Sequence, residues 1–280
     1  MTDETRPAPL RMVATGLGAL LVTGIASGIW GALLTANLAT TPALPWSALV
    51  MLLLLALGWM YAGGHGPPTR TQASRRVSLR GMSIDRAAFV LALVAGGCAL
   101  MALIGVWIVS FQSGVMRGNS VPDFSTYPLQ TVIAVIVTAA IMGAVTEEGA
   151  FRGYAQGLFE RRWPAAVAIG VTALLLAPGH AATQGFALPT FVFYLLVDAM
   201  LGATAYLCGS ILPGIAIHAA GLAVFFAWIW PNDADRPIGA AALSQTWFWI
   251  HVAQIAIFGV ASMVAYRRLA ATHLRRQRIS

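Results

Sequence analysis

Long apolar segments recur along the whole chain, and they restrict its possible folds more than any other feature. Eight segments of about 20 or more residues are dominated by apolar side chains: 12–38, 46–64, 87–110, 129–155, 163–182, 188–207, 211–230 and 247–266. About 20 apolar residues in a helix cross the hydrocarbon core of a bilayer. Lipid offers no hydrogen-bond partners to an open backbone, so such segments are expected to be helical. The sequence therefore predicts an all-α, polytopic membrane helix bundle with about eight transmembrane helices.

The charge content supports this class. Only 10% of the 280 residues are charged, whereas soluble domains carry about 25%. The net charge is +7 and all 17 basic residues are arginine. In a soluble protein such basicity would suggest nucleic acid, but here most arginines flank apolar segments, which is typical of membrane topology. We therefore predict the lipid bilayer as the surroundings of the chain and no nucleic-acid partner.

The arginines also predict an orientation, because cytoplasmic loops are enriched in them. Fourteen fall on one side of the eight-span bundle: Arg6, Arg11, Arg70, Arg75, Arg76, Arg80, Arg86, Arg161, Arg162, Arg267, Arg268, Arg275, Arg276 and Arg278. The opposite side receives only Arg117 and Arg236, beside Asp123, Asp233 and Asp235. Both termini are therefore predicted to be cytoplasmic. No composition break divides the chain, so 1–280 is interpreted as a single integral membrane domain.

A few ionisable residues lie inside the predicted spans rather than at their ends. They are Glu147, Glu148, His180, Asp198 and His218, with Arg152 near the end of the fourth span. A charge in hydrocarbon is energetically unfavourable by several kcal/mol, so such groups are candidates for a functional site. Glu148 and Arg152 are four residues apart with the acid first, which favours an ion pair on a helix. Glu147, the neighbouring residue, then faces a different side of the helix and is left for another partner.

Simpler interpretations remain open for each of these residues. The three charges of the fourth span are also compatible with a solvated helix end. Pro178 and Gly179 are compatible with an end of the fifth span that leaves His180 in a polar cap. His218 is also compatible with a hydrogen-bonded core histidine, and Asp198 with a structural acid of the bundle. The rise per residue of a helix gives the depth of Glu147, His180 and His218 in the membrane. The three lie at the same depth only if the hairpin of spans four and five projects further towards the cytoplasm than the hairpin of spans six and seven.

Three motifs in this part of the chain resemble a known family. "EEGAFR" has the form Glu-Glu-x-x-x-Arg, and "LLLAPGH" and "GSILPGIAIHAAG" follow in order. Together they resemble the CPBP family of intramembrane proteases, which includes CAAX prenyl endopeptidases and bacterial bacteriocin-processing and self-immunity (Abi) proteins. The resemblance covers about 127–230, the predicted protease-like core. It implies that Glu147 is the general base, that Glu148 and Arg152 order the helix, and that His180 and His218 bind a metal or position water and stabilise the oxyanion.

Two positions depart from the family pattern. Leu176 replaces the aromatic residue of the second motif, and Leu222 replaces the asparagine of the third. Losing one donor near an oxyanion can lower the rate about 100–1000-fold. Asp198 or a backbone group is a candidate substitute for the amide. The departure at Leu222 supports an alternative hypothesis, a catalytically degenerate membrane scaffold or immunity protein with the same fold. A transporter is a third possibility, because membrane carboxylates and histidines also form proton relays.

The leading hypothesis is an intramembrane peptidase that hydrolyses peptide bonds near the cytoplasmic face through a glutamate-activated water. Glu147, His180 and His218 are the predicted metal ligands, for zinc or another divalent metal, since two imidazoles and a carboxylate can leave an open position for water. The predicted partners are a peptide or protein substrate and the bilayer. The lysine-free composition favours a bacterial plasma membrane and a bacteriocin-like substrate, while a prenylated substrate is neither favoured nor excluded by the sequence.

Overall fold

The structure is a computed structural model that describes residues 7–116, 124–183, 186–233 and 235–279. Within these ranges it is helical, with no strand. The α-helices are α1 (Pro9–Thr40), α2 (Trp46–Ala62), α3 (Gln72–Leu79), α4 (Arg86–Gln112), α5 (Leu129–Glu147), α6 (Gly157–Phe159), α7 (Ala165–Thr183), α8 (Leu188–Cys208), α9 (Leu212–Val224), α10 (Trp230–Asp233), α11 (Ala240–Leu243) and α12 (Thr246–Ile279). Two π-helical segments, π1 (Glu148–Gln156) and π2 (Phe225–Ile229), extend α5 and α9.

The eight predicted apolar segments all form helices, so the predicted all-α membrane bundle is confirmed. In the described part of the chain, six helical stretches are long and apolar enough to cross a bilayer: Pro9–Thr40, Arg86–Gln112, Leu129–Phe159, Leu188–Cys208, Leu212–Asp233 and Thr246–Arg275. The other two, Trp46–Ala62 and Ala165–Ala181, are apolar but shorter. The protein is an integral membrane protein. The cytoplasmic placement of both termini stays a prediction, and Arg6, Arg117 and Asp123 lie outside the described residues.

Local sequence signals explain where several helices begin and end. Proline lies in the first turn of α1, α8 and α9, where its missing N–H would have no helical partner. The Asp85 side chain accepts a hydrogen bond from the Ala88 backbone at 2.9 Å and so caps α4. Gly209 ends α8 with a φ of 65°, a left-handed conformation that glycine adopts without steric strain. These ends fix the lengths of the helices that surround the site.

The hairpin of α1 and α2 is held by one fully buried amide. Asn37 donates to the carbonyl oxygens of Thr41 and Leu44 at 2.9 and 2.8 Å. Its Oδ1 accepts from the backbone N–H and the hydroxyl of Ser47 at 3.0 and 2.8 Å. A buried amide is stable in an apolar bundle when its hydrogen-bonding groups are satisfied, and this one is. The turn between the two helices is therefore specified by a polar side chain within an apolar segment.

The remaining helices pack as antiparallel neighbours around the polar residues of the membrane region. The most extensive contacts join α4 with α12, α7 with α8, and α5 with α9. Cys208 is buried beside Ala92 and Leu269. The ionisable residues project from α5, π1, α7, α8 and α9 into the space that these elements enclose.

Candidate active site

The two adjacent glutamates lie at the junction of α5 and π1. Glu147 ends the regular helix and Glu148 begins the wider π-helical segment, a feature that often marks functional sites. Oε1 of Glu148 lies 3.3 Å from Nη1 of Arg152, and both side chains have no exposed surface. The predicted ion pair is thus confirmed, and the interpretation of these charges as a solvated helix end is wrong.

Arg152 has a second acidic partner, on α8. Its Nη2 lies 2.6 Å from Oδ1 of Asp198 and also donates to the Asp198 carbonyl oxygen at 3.1 Å. Asp198 is buried as well. One guanidinium therefore neutralises part of the charge of two carboxylates and joins π1 to α8. Burying an ion is unfavourable unless it is paired and hydrogen-bonded. Among the described residues, Nη2 of Arg152 is hydrogen-bonded to Asp198, while Nη1 forms an ion pair with Glu148 without a hydrogen bond of good geometry.

His218, on α9, lies between the two glutamates. Its Nδ1 is 3.0 Å from Oε1 of Glu148, and its Nε2 is 3.7 Å from Oε2 of Glu147. A carboxylate only accepts hydrogen bonds, so Nδ1 carries the hydrogen that Glu148 receives. This contact fixes the ring orientation and turns Nε2 towards Glu147, as a carboxylate does for a catalytic or metal-binding imidazole.

His180, on α7, faces Glu147 from the opposite side. Its Nε2 lies 3.2 Å from Oε2 of Glu147 and 4.0 Å from Oδ1 of Asp198. The first distance allows an ion pair between His180 and Glu147. Helix α7 continues through Pro178 to Thr183, so the interpretation of His180 as part of a polar cap beyond the helix is wrong. The predicted convergence of Glu147, His180 and His218 is observed.

Burial distinguishes the two glutamates. The side chains of Glu147 and His180 are 16% and 22% exposed, whereas that of Glu148 is fully buried. Beside the imidazoles lies a mostly apolar cavity of about 130 Å³. It is bounded by both histidines, by Tyr194 and by Leu222. Of the two carboxylate side chains, Glu147 is therefore the one with exposed surface, and Glu148 is placed to support it.

Close backbone approach keeps these groups together. A Cβ added to Gly214, in the first turns of α9, would lie 2.9 Å from Oε2 of Glu148. A Cβ added to Gly143, one turn before Glu147, would lie 2.9 Å from Cδ1 of Leu222. Leu222 thus packs against the helix that carries the glutamates, in the position where the resembled family has an amide. Leu176 is instead buried in an apolar cluster.

The predicted metal site fits this arrangement poorly. In the described ranges, no group of three or more His, Cys, Asp or Glu side chains is arranged to hold a metal ion. The imidazole nitrogens nearest to Oε2 of Glu147 lie 3.2 Å and 3.7 Å from it. Zinc or another divalent metal at Glu147, His180 and His218 therefore stays a prediction from the sequence.

One aromatic residue of the site is missing from the sequence-based candidates. The ring of Tyr194 stacks on that of His180, with centroids 5.0 Å apart and planes at 24°. Tyr194 precedes Asp198 by four residues on α8, so the two lie on one helix face. That spacing was the available signal, because a polar aromatic residue one turn from a buried acid faces the same site. The stack restricts rotation of the His180 ring.

Comparison with known proteins agrees with the motif pattern. Residues 129–224 match the family model described as Type II CAAX prenyl endopeptidase Rce1-like. No curated protein and no solved structure matches the chain. The matched segment contains every converging side chain described above, from Glu147 to His218. Over this segment, the resemblance to the CAAX prenyl endopeptidases that the motifs predicted is therefore confirmed.

Proposed function

We propose that this protein is an intramembrane peptidase in which Glu147 activates water. The observation that carries the proposal is the placement of Oε2 of Glu147, on a side chain that is 16% exposed, at 3.2 Å and 3.7 Å from imidazole nitrogens on two different helices. That exposure lets water approach the Glu147 side chain, and a general base must be within hydrogen-bond reach of the proton that it takes.

The chemistry follows from these positions. Glu147 takes a proton from water while the water oxygen bonds to the peptide carbonyl carbon and the carbonyl π electrons move to oxygen. An N–H of His180 stabilises the oxyanion, as preorganised donors in a water-poor site do. The C–N bond then breaks, and the leaving nitrogen receives the proton held by Glu147. His218, oriented by Glu148, accepts a hydrogen bond from the attacking water.

The direct test is peptide cleavage by purified protein in proteoliposomes. Glu147→Gln keeps the shape of the side chain and removes the base, so we expect a loss of about 100- to 10,000-fold in rate. Asp235→Asn, an exposed acid outside the site, is the matched control and is expected to cleave like the wild type. Equal cleavage by wild type and Glu147→Gln, with activity present in both, would overturn the proposed base.

Leu222 favours a second candidate function, a membrane scaffold that keeps the fold without the chemistry. Its side chain lines the cavity next to both imidazoles, where it can offer no hydrogen bond. Proteomics of membrane fragments distinguishes the two functions. A peptidase gives fragments that depend on Glu147, whereas a scaffold gives identical fragment sets in wild-type and Glu147→Gln cells.

The setting that we propose is a bacterial plasma membrane, with a membrane-associated peptide or protein as substrate. The support is compositional, because a chain with 17 arginines and no lysine suits a GC-rich bacterial genome. Bacteriocin-like peptides fit this setting. Metal analysis of the purified protein, together with its activity after chelation, tests the predicted zinc or other divalent metal.

A further inference from the structure

A large groove lies on the far side of the helix that carries the glutamates. It has a volume of about 700 Å³, is almost entirely apolar, and runs between α1, α2 and the start of π1. Its outer walls include Val22, Ile25 and Leu54, which are exposed on the surface of the bundle. Neither His180 nor His218 borders it. The groove is therefore separate from the candidate active site and opens towards the surrounding lipid.

The length of the groove matches one leaflet of a bilayer. It follows α2 from Met51 to Tyr61, a distance of about 15 Å at the rise of a helix. On α1 it follows Thr15 to Ile29, about 21 Å by the same measure. Half of the hydrocarbon core of a bilayer is about 15 Å thick. A fatty acyl chain with its head at the membrane surface fits this length.

A second, polar pocket adjoins the arginine-rich end of the groove. Thr15 and Tyr154 border both. The polar pocket has a volume of about 310 Å³, and the charged residues that border it are Arg11, Arg80, Arg161 and Glu160.

The charges of this pocket are unbalanced. Arg80 forms an ion pair with Glu160, which leaves two arginines in excess. Arg11 and Arg161 are exposed, and neither is paired with a carboxylate in the described part of the chain. A phosphate-bearing group with net negative charge is the complementary ligand, because guanidinium groups bind phosphate oxygens well.

We propose that the groove and the pocket together bind one acidic phospholipid. An acyl chain lies in the groove along α1 and α2, and the anionic headgroup lies between Arg11 and Arg161. The apolar part of the site accepts any acyl chain, so the arginines provide the preference for an acidic over a zwitterionic headgroup. The lipid would hold α1 and α2 against the outer face of π1, whose inner face carries Glu148.

Native mass spectrometry of the full-length, delipidated protein in detergent tests the headgroup preference, with phosphatidylglycerol and phosphatidylcholine as the added lipids. We expect the wild type to retain phosphatidylglycerol preferentially. The double variant Arg11→Gln/Arg161→Gln is expected to lose roughly 30-fold of that preference, since each arginine near an acidic lipid surface contributes a factor of about five. Arg267→Gln/Arg268→Gln removes the same charge from exposed positions on α12. This control variant is expected to keep the preference for phosphatidylglycerol.

Two glycines allow the groove itself to be tested. A Cβ added to Gly18 or Gly58, which border the groove, meets no atom within 4 Å. Gly18→Leu/Gly58→Leu therefore adds two side chains to the groove from positions with room for a Cβ, and it is expected to lower retention of both lipids. Gly24→Leu/Gly31→Leu is the control, because these positions also have open space on α1 but do not border the groove.

Several results would overturn the proposal. One is equal retention of the two lipids by the wild type, and another is the same loss of preference in the Arg267/Arg268 variant. Unchanged lipid retention in the Gly18/Gly58 variant would show that the groove is not the site. Displacement of phosphatidylglycerol by an isoprenylated peptide, or dimerisation that the groove-filling variant abolishes, would assign the groove to a substrate chain or to a second copy.

Discussion

Replacing Arg152 with methionine is expected to destabilise the bundle more than any other single charge removal. The guanidinium lies 3.3 Å from Glu148 and 2.6 Å from Asp198, and all three side chains are buried. Arg152→Met leaves both carboxylates buried without their cation. Removing one partner of a buried ion pair lowers the free energy of unfolding by about 3–5 kcal/mol. Because two acids are affected, we expect the upper end of that range, about 5 kcal/mol.

A double-mutant cycle separates this ionic contribution from simple loss of packing. Asp198→Leu removes one of the two acids that Arg152→Met leaves without a cation. The double variant is therefore expected to lose less free energy of unfolding than the sum of the two single variants. The coupling should be about 0.5–3 kcal/mol, as for residues in one network. Glu148 keeps His218 as a partner in every variant, which limits the recovery.

The assay is reversible unfolding in mixed micelles, followed by circular dichroism. Arg268→Met is the matched control, since Arg268 is exposed on α12, and it should unfold like the wild type. A change below about 1 kcal/mol for Arg152→Met, typical of a surface substitution, would refute the reasoning. The reasoning would also be refuted if the loss of unfolding free energy in the double variant equalled the sum of the two single losses to within about 0.5 kcal/mol.

Three further substitutions test other parts of the structure. Gly214→Ala should lower the free energy of unfolding by about 1–3 kcal/mol, because its Cβ would press on Glu148; Gly259→Ala, with open space at its Cβ, is the control in thermal unfolding. Leu222→Asn should raise the cleavage rate by up to about 100- to 1000-fold, measured as kcat in proteoliposomes, and an unchanged kcat would rule out a missing donor there. Asn37→Ala should lower the free energy of unfolding by about 1–3 kcal/mol, measured by chemical unfolding, because it leaves buried polar groups without partners; unchanged stability would contradict the role of this amide in the α1–α2 hairpin.

Much of the fold could be predicted because the constraints are local. The eight apolar segments predicted the long apolar helices of the bundle, since segment length and composition are properties of neighbouring residues. The pair of Glu148 and Arg152 was predictable for the same reason, because it depends on a four-residue spacing that survives in π1. The convergence of Glu147, His180 and His218 was only conditionally predictable, because helix rise fixes height along a helix but not the offset between two hairpins.

Other contacts depend on packing between helices, and no local pattern specifies them. The second partner of Arg152, Asp198, lies 46 residues away in sequence, and the sequence placed it only near the site. The stack of Tyr194 on His180 depends on the rotation of α8 about its own axis. Such rotation is set by side-chain packing along the whole helix pair.

The position of Leu222 shows what the structure adds to the functional question. The sequence establishes that the amide of the resembled family is absent, but not whether the leucine faces the reacting groups. The structure places it beside the cavity of both imidazoles and against the helix of Glu147. An asparagine there would reach the same space from the same backbone position. The peptidase and the scaffold therefore share one architecture. They differ in whether the N–H donors of His180 are enough to stabilise the oxyanion without that amide.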